Sequence, residues 1–269
     1  MKNCLFGISI LLFVVPSCSA PSVQEVQHDD VASLFSKYSA TGTFVLQKED
    51  EPAFIYNEER AARGFIPAST FKIFNSLVAL ETGVIGVDDT IPWDGVKRAF
   101  PAWNQDQRMR EAFQRSTVWF YQLLARRIGQ ARMQQAVSRE HYGNENIAGG
   151  IDQFWLTGSL RISALQQIDL LKRLKHRKLR FSEKTMQTVE DLMLIEQCKR
   201  YTLRGKTGWG DQQGVQIGWL VGYVERGGAV YYFAMNVESR DPAFPMIEAR
   251  KDIVRSVLLE AGVIDGECR

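Results

Sequence analysis

The sequence predicts an α+β fold: one antiparallel sheet shared by both ends of the chain, flanked by helices and interrupted by a helical insertion. Three observations point to it. Two short strand-like runs near the N-terminus flank a charged turn. Two longer ones near the C-terminus flank Arg226-Gly227-Gly228. Between these pairs, and again in the tail, apolar residues recur at helical spacing.

In chain order, residues 41–46 (TGTFVL) and 53–57 (AFIYN) read as two strands of a hairpin joined across the charged stretch from Lys48 to Pro52. Phe71, Phe74, Leu77 and Val78 then share one helical face, and Gly83 ends that run. Trp119, Leu123 and Leu124 begin another stripe that closes at Gly129, and Ile168, Leu171 and Leu174 make a third. Residues 217–223 and 230–235 alternate around the Gly-Gly turn as an antiparallel hairpin. The tail from Met246 to Ala261 is amphipathic, with Ile253, Val254, Val257, Leu258 and Ala261 on one face. The expected organisation is a single domain of residues 21–269 in two lobes. Residues of about 21–65 and 200–269 would make the sheet lobe and about 66–199 the helical lobe, with a cleft where they meet.

Residues 1–20 stand apart: Lys2, an apolar run from Leu5 to Val15, then Pro16-Ser17-Cys18-Ser19-Ala20. This pattern reads as a secretory signal cleaved after Ala20, with lipidation at Cys18 as a minor alternative and the periplasm as the expected destination. The apolar run is about half of what a bilayer span needs, and no longer one follows, so no membrane span is expected. Removal of this segment leaves Cys198 and Cys268, which allows either one bridge or two free thiols.

Composition narrows the chemistry. With 33 Lys plus Arg against 31 Asp plus Glu and no basic run, the chain offers no track for a nucleic-acid backbone. Its three histidines, His28, His141 and His176, are scattered, which leaves little for a His-rich metal centre or a Ser-His-Asp triad. No metal is expected, and another base must do the work.

Ser69-Thr70-Phe71-Lys72 supplies one. Three residues apart on a helix, the hydroxyl and the amine lie on one face and can touch. Apolar neighbours Phe71, Ile73 and Phe74 would desolvate Lys72 and lower its pKa, as a general base requires. Alone, the pattern is equally explained by Ser69 as a helix cap. Lys206-Thr207-Gly208, followed by Trp209, offers, on a strand beside the cleft, a cation and a hydroxyl for a substrate carboxylate, or simply a turn before a strand. A phosphate loop is excluded at Gly205-Lys206-Thr207, because the glycine needed five positions earlier is Arg200.

Together, and in this order, the two motifs belong to the signature of penicillin-recognising serine enzymes. The intervening Ser116-Thr117-Val118, Tyr142-Gly143-Asn144 and Phe154-Trp155-Leu156 make the chain, from about Gly42 to Ile264, resemble the class D serine β-lactamases, the oxacillinases. That resemblance implies hydrolysis of penicillin-type β-lactams through a serine acyl-enzyme, and hence antibiotic resistance. Ser69 would be the nucleophile. Lys72 would react with carbon dioxide, supplied by bicarbonate, to give a carbamate that serves as the general base, and Trp155 would donate its indole N–H to it. Val118 and Leu156 would gate this base, while Ser116 with Lys206 would return a proton to the leaving nitrogen. Backbone N–H groups of Ser69 and Trp209 would form the oxyanion hole, and Arg250 with Thr207 and Gly208 would bind the substrate carboxylate. Tyr142-Gly143-Asn144 would be structural.

Each residue has a plainer reading: Trp155 as a core aromatic, Ser116 as a helix cap, Arg250 as an ion pair with Glu248 or Asp252. The sequence departs from many members of the family at Phe74, where proline is common, and Trp209 is a variable position. Class A enzymes need asparagine where Val118 stands. β-Lactam sensor domains and penicillin-binding transpeptidases share the motifs, become acylated and do not turn over. The expected partner is a small β-lactam, with the protein a monomer or homodimer.

Overall fold

The hairpins and the tail helix expected above assemble around a six-stranded antiparallel sheet in the computed structural model, which describes residues 26–266 and 268. The signal-like segment, with Cys18, lies outside the described residues. Helix α1 (His28–Lys37) leads into β1 (Thr41–Lys48) and β2 (Phe54–Tyr56), followed by α2 (Glu58–Ala62). A 3-10 turn (Ala68–Phe71) runs directly into α3 (Lys72–Glu81), and α4 (Met109–Gln114), α5 (Val118–Ile128), α6 (Gln130–Arg139), α7 (Ala164–Lys175) and α8 (Glu183–Leu192) follow. Strands β3 (Leu194–Gln197), β4 (Tyr201–Gln212), β5 (Val215–Arg226) and β6 (Ala229–Ser239) then form a meander, closed by α9 (Met246–Glu260).

Strand order is β2-β1-β6-β5-β4-β3, so the first hairpin joins the last strand, with Phe44 opposite both Tyr56 and Met235. Gly227 and Gly228 both take positive φ (58° and 81°), the conformation a two-residue hairpin between long twisted strands requires and that glycine adopts without strain. Successive side chains on a strand face opposite ways, and the sheet sorts its apolar residues accordingly. Phe44, Leu46, Leu220, Phe233 and Met235 pack beneath α1 and α9, and Val45, Trp219, Val221, Tyr223 and Ala234 pack towards α7 and the insertion. β5 is therefore buried on both faces, which explains its nearly continuous apolar run.

One expectation needs correction, and one alternative is settled. The C-terminal part of the sheet begins at Leu194, inside the stretch expected to be helical, because β3 pairs with β4 along its first half. Lys206-Thr207-Gly208 lies on a strand, in the middle of twelve-residue β4 paired with β5 from Tyr201 to Gln212, and not in a turn before one. Its glycines and charges hide a strand that is held by the ladder rather than by its own propensity.

The open question about the cysteines closes in favour of a bridge: Cys198 and Cys268 are disulfide-bonded. The bond ties the chain end to the exit of β3. Among the described residues, no helix is long and apolar enough to cross a membrane.

Candidate active site

The 3-10 turn that carries Ser69 lies against β4, with α5 and the loop of Trp155 closing the sides. Contact is close because β4 has glycine where the turn touches it. A Cβ on Gly208 would sit 3.0 Å from the Pro67 carbonyl oxygen, and one on Gly210 would sit 3.0 Å from the Ile66 side chain and 3.3 Å from Ala68. The turn lies against the face of β4 that Gly208 and Gly210 leave without side chains, in the half of the strand that β3 does not pair. Ala68 is held at φ 46° and Ser116 at φ 59°, both in the left-handed region that non-glycine residues rarely adopt. Strain of this kind persists only where surrounding packing fixes it, and here it accompanies two hydroxyls that each meet a buried lysine, Ser69 with Lys72 and Ser116 with Lys206.

Packing behind the turn is aromatic. Phe71, between Ser69 and Lys72, stacks on Trp155 (5.4 Å between centroids) and meets Phe154 (5.0 Å) and Tyr142 (5.3 Å) edge-on. Burying that ring fixes the rotation of the turn and so the direction of its neighbours. Lys72 is wholly buried, and its Nζ donates to Ser69 Oγ at 2.7 Å. Burial, with no carboxylate to offset it, lowers its pKa to about 7. Lys206 Nζ donates to Ser116 Oγ at 2.9 Å and to the Thr207 carbonyl at 3.0 Å. Its pKa is held well below the ordinary lysine value by burial first, and then by the charges of Lys72 and Arg250. Two Ser–Lys pairs, from segments far apart in sequence, thus face one cleft of about 610 Å³ that Ser69, Ser116, Val118, Lys206, Thr207, Trp209 and Arg250 all line.

The plainer readings fare differently residue by residue. Ser69 caps no helix, since Pro67 stands at the N-cap of its turn. Ser116 is displaced as the cap of α5 by Thr117. Arg250 makes none of the ion pairs considered: Asp252 is taken by Lys37 at 2.7 Å, and the buried guanidinium instead donates to the Gly208 carbonyl at 2.6 Å. Burial lowers its pKa to about 10, leaving it cationic at neutral pH. Trp155 is buried as a core aromatic is, yet its indole Nε1 has no hydrogen-bond partner. Such a donor ordinarily finds one. Trp209 stands 41% exposed at the rim, held by Gln216. Leu156 is half-buried against the core, whereas Val118 lines the cleft.

Other residues around the site escaped sequence reasoning. Phe113 lies under Lys206, with Nζ 5.6 Å from its ring centroid, and Tyr121 lies beside Lys72 at 5.2 Å while its hydroxyl meets Ser76. Phe100 and Trp103 edge the mouth, and two aromatics around Pro101-Ala102, outside any helical or strand periodicity, were the signal available for them. Tyr142-Gly143-Asn144 is architectural: Asn144 Oδ1 accepts from Arg161 N, and Gly143 takes φ 58° with the Arg161 carbonyl oxygen 2.1 Å from where a Cβ would be. Gly143→Ala should therefore cost about 2–4 kcal/mol, read as a lower urea midpoint with unchanged slope.

This arrangement is that of the penicillin-recognising serine enzymes. A family model of the penicillin binding protein transpeptidase domain matches residues 30–259. Among curated relatives, β-lactamase OXA-48 of Klebsiella pneumoniae is 37% identical over 97% of this chain and 99% of its own. The regulatory protein BlaR1 of Bacillus licheniformis is 36% identical over 88% of this chain and 40% of its own. A crystal structure of the class D β-lactamase YbXI from Nostoc superimposes with a TM-score of 0.83 at 44% identity, covering 87% of this chain and 99% of that one. The chain belongs to the class D β-lactamase family.

Proposed function

We propose that this protein hydrolyses the amide bond of penicillin-type β-lactams through an acyl-enzyme on Ser69, with a carbamate on Lys72 as the base, and so confers resistance where it is secreted. The observation that carries the reading is the buried Lys72–Ser69 pair: an amine whose pKa burial lowers to about 7, 2.7 Å from a hydroxyl at a cleft. In the first step Ser69 Oγ bonds to the lactam carbonyl carbon as the C–N bond opens. The serine proton leaves towards Lys72, and the lactam nitrogen receives one through Ser116, whose hydroxyl Lys206 polarises. The backbone N–H groups of Ser69 and Trp209 stabilise the developing oxyanion. Thr207 and the Arg250 cation hold the substrate carboxylate at the far side of the cleft. Water then cleaves the ester and frees Ser69.

The residues around Lys72 fit a carbamate. Neutral amine is abundant at a pKa of about 7, and a buried anion would find the indole N–H of Trp155, which otherwise has no partner. A carbamate there would supply the general base. Trp155→Phe keeps the stacking on Phe71 and removes only the donor. The variant should acylate at close to the wild-type rate and deacylate about 10²-fold more slowly or worse, visible as persistent acyl-enzyme in the intact-protein mass.

The deciding experiment is mass spectrometry of the protein mixed with a penicillin in bicarbonate buffer. An adduct that forms and disappears as hydrolysed drug accumulates supports the enzyme. An adduct that persists gives instead the sensor-like behaviour suggested by the similarity to a regulatory protein, and no adduct overturns both.

A further inference from the structure

Ser116 stands where a helix ordinarily ends in glycine. Its N–H donates to the Phe113 carbonyl at 3.2 Å, and that of Thr117 donates to the Ala112 carbonyl at 2.9 Å. These two bonds close a Schellman motif at the end of α4, and Ser116, at φ 59°, fills its left-handed position. Thr117 is the N-cap of α5, yet its hydroxyl makes no capping bond. It is spent elsewhere: wholly buried, it donates to Gln107 Oε1 at 2.7 Å. Gln107 is buried as well and stands at the neck of a loop. Its N–H and carbonyl pair with those of Ile91 at 3.1 and 2.9 Å, closing off residues 92–106, and its Nε2 lies 3.4 Å from the carbonyl oxygens of Ala102 and Trp103. Trp103 holds the other side. Its indole N–H donates to the Arg115 carbonyl at 2.9 Å, and its own carbonyl accepts from Trp119 Nε1 at 2.9 Å. Ser116 is thus fastened through the residue before it and the residue after it, both times to the loop that brings Phe100 and Trp103 to the cleft.

We propose that Gln107 is a positioning residue for acylation: acting through Thr117, it fixes Ser116 Oγ between Lys206 and the leaving lactam nitrogen. The proposal rests on the β-lactamase reading, which gives Ser116 that place. A hydroxyl has one proton, so Ser116 Oγ must accept from Lys206 Nζ while it donates to the nitrogen, and both partners must lie in reach at once. The serine's own backbone does not secure this. A left-handed φ is strained for a residue with a Cβ and relaxes unless its surroundings prevent it. A displacement of about 1 Å in such a step costs up to about 10²-fold in rate. The nitrogen needs its proton only as the lactam opens, so loosening Ser116 slows formation of the acyl-enzyme and leaves its hydrolysis alone.

A pair of substitutions separates positioning from stability. Gln107→Met and Thr117→Val each strand one partner of a buried bond, so each should lower the thermal midpoint by about 3–8 °C and kcat/KM for a penicillin about tenfold. The double variant removes both partners and strands neither. It should recover most of the midpoint while kcat/KM, which reports the steps up to acylation, stays about tenfold low. Decay of its acyl-enzyme, followed by intact-protein mass, should remain within about twofold of the wild-type rate. Thr117→Ser keeps the hydroxyl and should hold kcat/KM within about twofold of the wild type. If kcat/KM of the double variant returns with its midpoint, or if decay of the acyl-enzyme slows as much as its formation, Gln107 only supports the fold and the proposal fails although the enzyme stands. If the wild type neither forms an adduct with a penicillin nor hydrolyses it, the enzymatic reading falls and the positioning role with it.

Discussion

Ser69→Ala should remove the acyl adduct altogether and lower kcat/KM for a penicillin by about 10⁴-fold or more, because no other hydroxyl is placed to take over. Ser116 is the nearest rival, but its oxygen is engaged by Lys206, and its own backbone is fixed in the left-handed region. The substitution deletes one oxygen from a residue 7% exposed and leaves Phe71 in its aromatic cage, so the fold should be unaffected and the thermal midpoint should barely move. Loss of activity with an unchanged midpoint assigns the nucleophile. Residual turnover within tenfold of the wild type would place it elsewhere.

The second large effect concerns Lys72. In the unfolded chain its amine titrates near 10.5, whereas in the folded protein burial brings it to about 7. Between these values the unfolded state binds the extra proton, so wild-type stability should rise with pH from about 7 towards 10.5 and lose that contribution on acidification through this window. At pH 7 the buried amine costs roughly 4 kcal/mol relative to a lysine left in water. Lys72→Met, similar in length and without charge, should accordingly be more stable at neutral pH, lack the upward slope, and be inactive by a factor of about 10³ or more. A site that destabilises its own fold to keep a base neutral is the trade this comparison measures. The same window governs the carbamate. Carbon dioxide adds only to the neutral amine, so activity should fall below pH 7 and recover when bicarbonate is raised. Activity indifferent to stripping and restoring bicarbonate would exclude a carbamate base, and a stability profile without the slope would mean that Lys72 is hydrated.

The sequence disclosed those parts whose pattern is local. The β5–β6 hairpin shows in its alternation and its Gly-Gly turn, and the Ser69–Lys72 contact follows from helical spacing, although Ser69 itself sits in a 3-10 turn ahead of α3. Helices α1 and α6 did not show. Each is mostly polar and buries only two or three side chains, so packing rather than periodicity decides them. β4 was masked by the residues that make it useful, glycines that admit the turn and cations that line the cleft. Lys206 and Ser116, 90 positions apart, are joined by topology that no spacing encodes, and only the family resemblance connected them. Arg250 illustrates the opposite case. Its acidic neighbours suggested a surface ion pair, but Asp252 faces α1 and Arg250 turns under β4.

The pairing of β1 with β6 also dictates when the site can exist. Residues 41–48 pair locally with β2 on one side but find their other partner only at residues 231–238, and closing so long a loop is entropically slow. The β4–β5–β6 meander, by contrast, closes through tight turns, and it makes a natural early nucleus. During synthesis the segment bearing Ser69 and Lys72 therefore emerges long before the strand that confronts it. Chains interrupted before β6 carry the nucleophile without a cleft, so reactivity towards the drug should arrive in a single late step, together with the last strand.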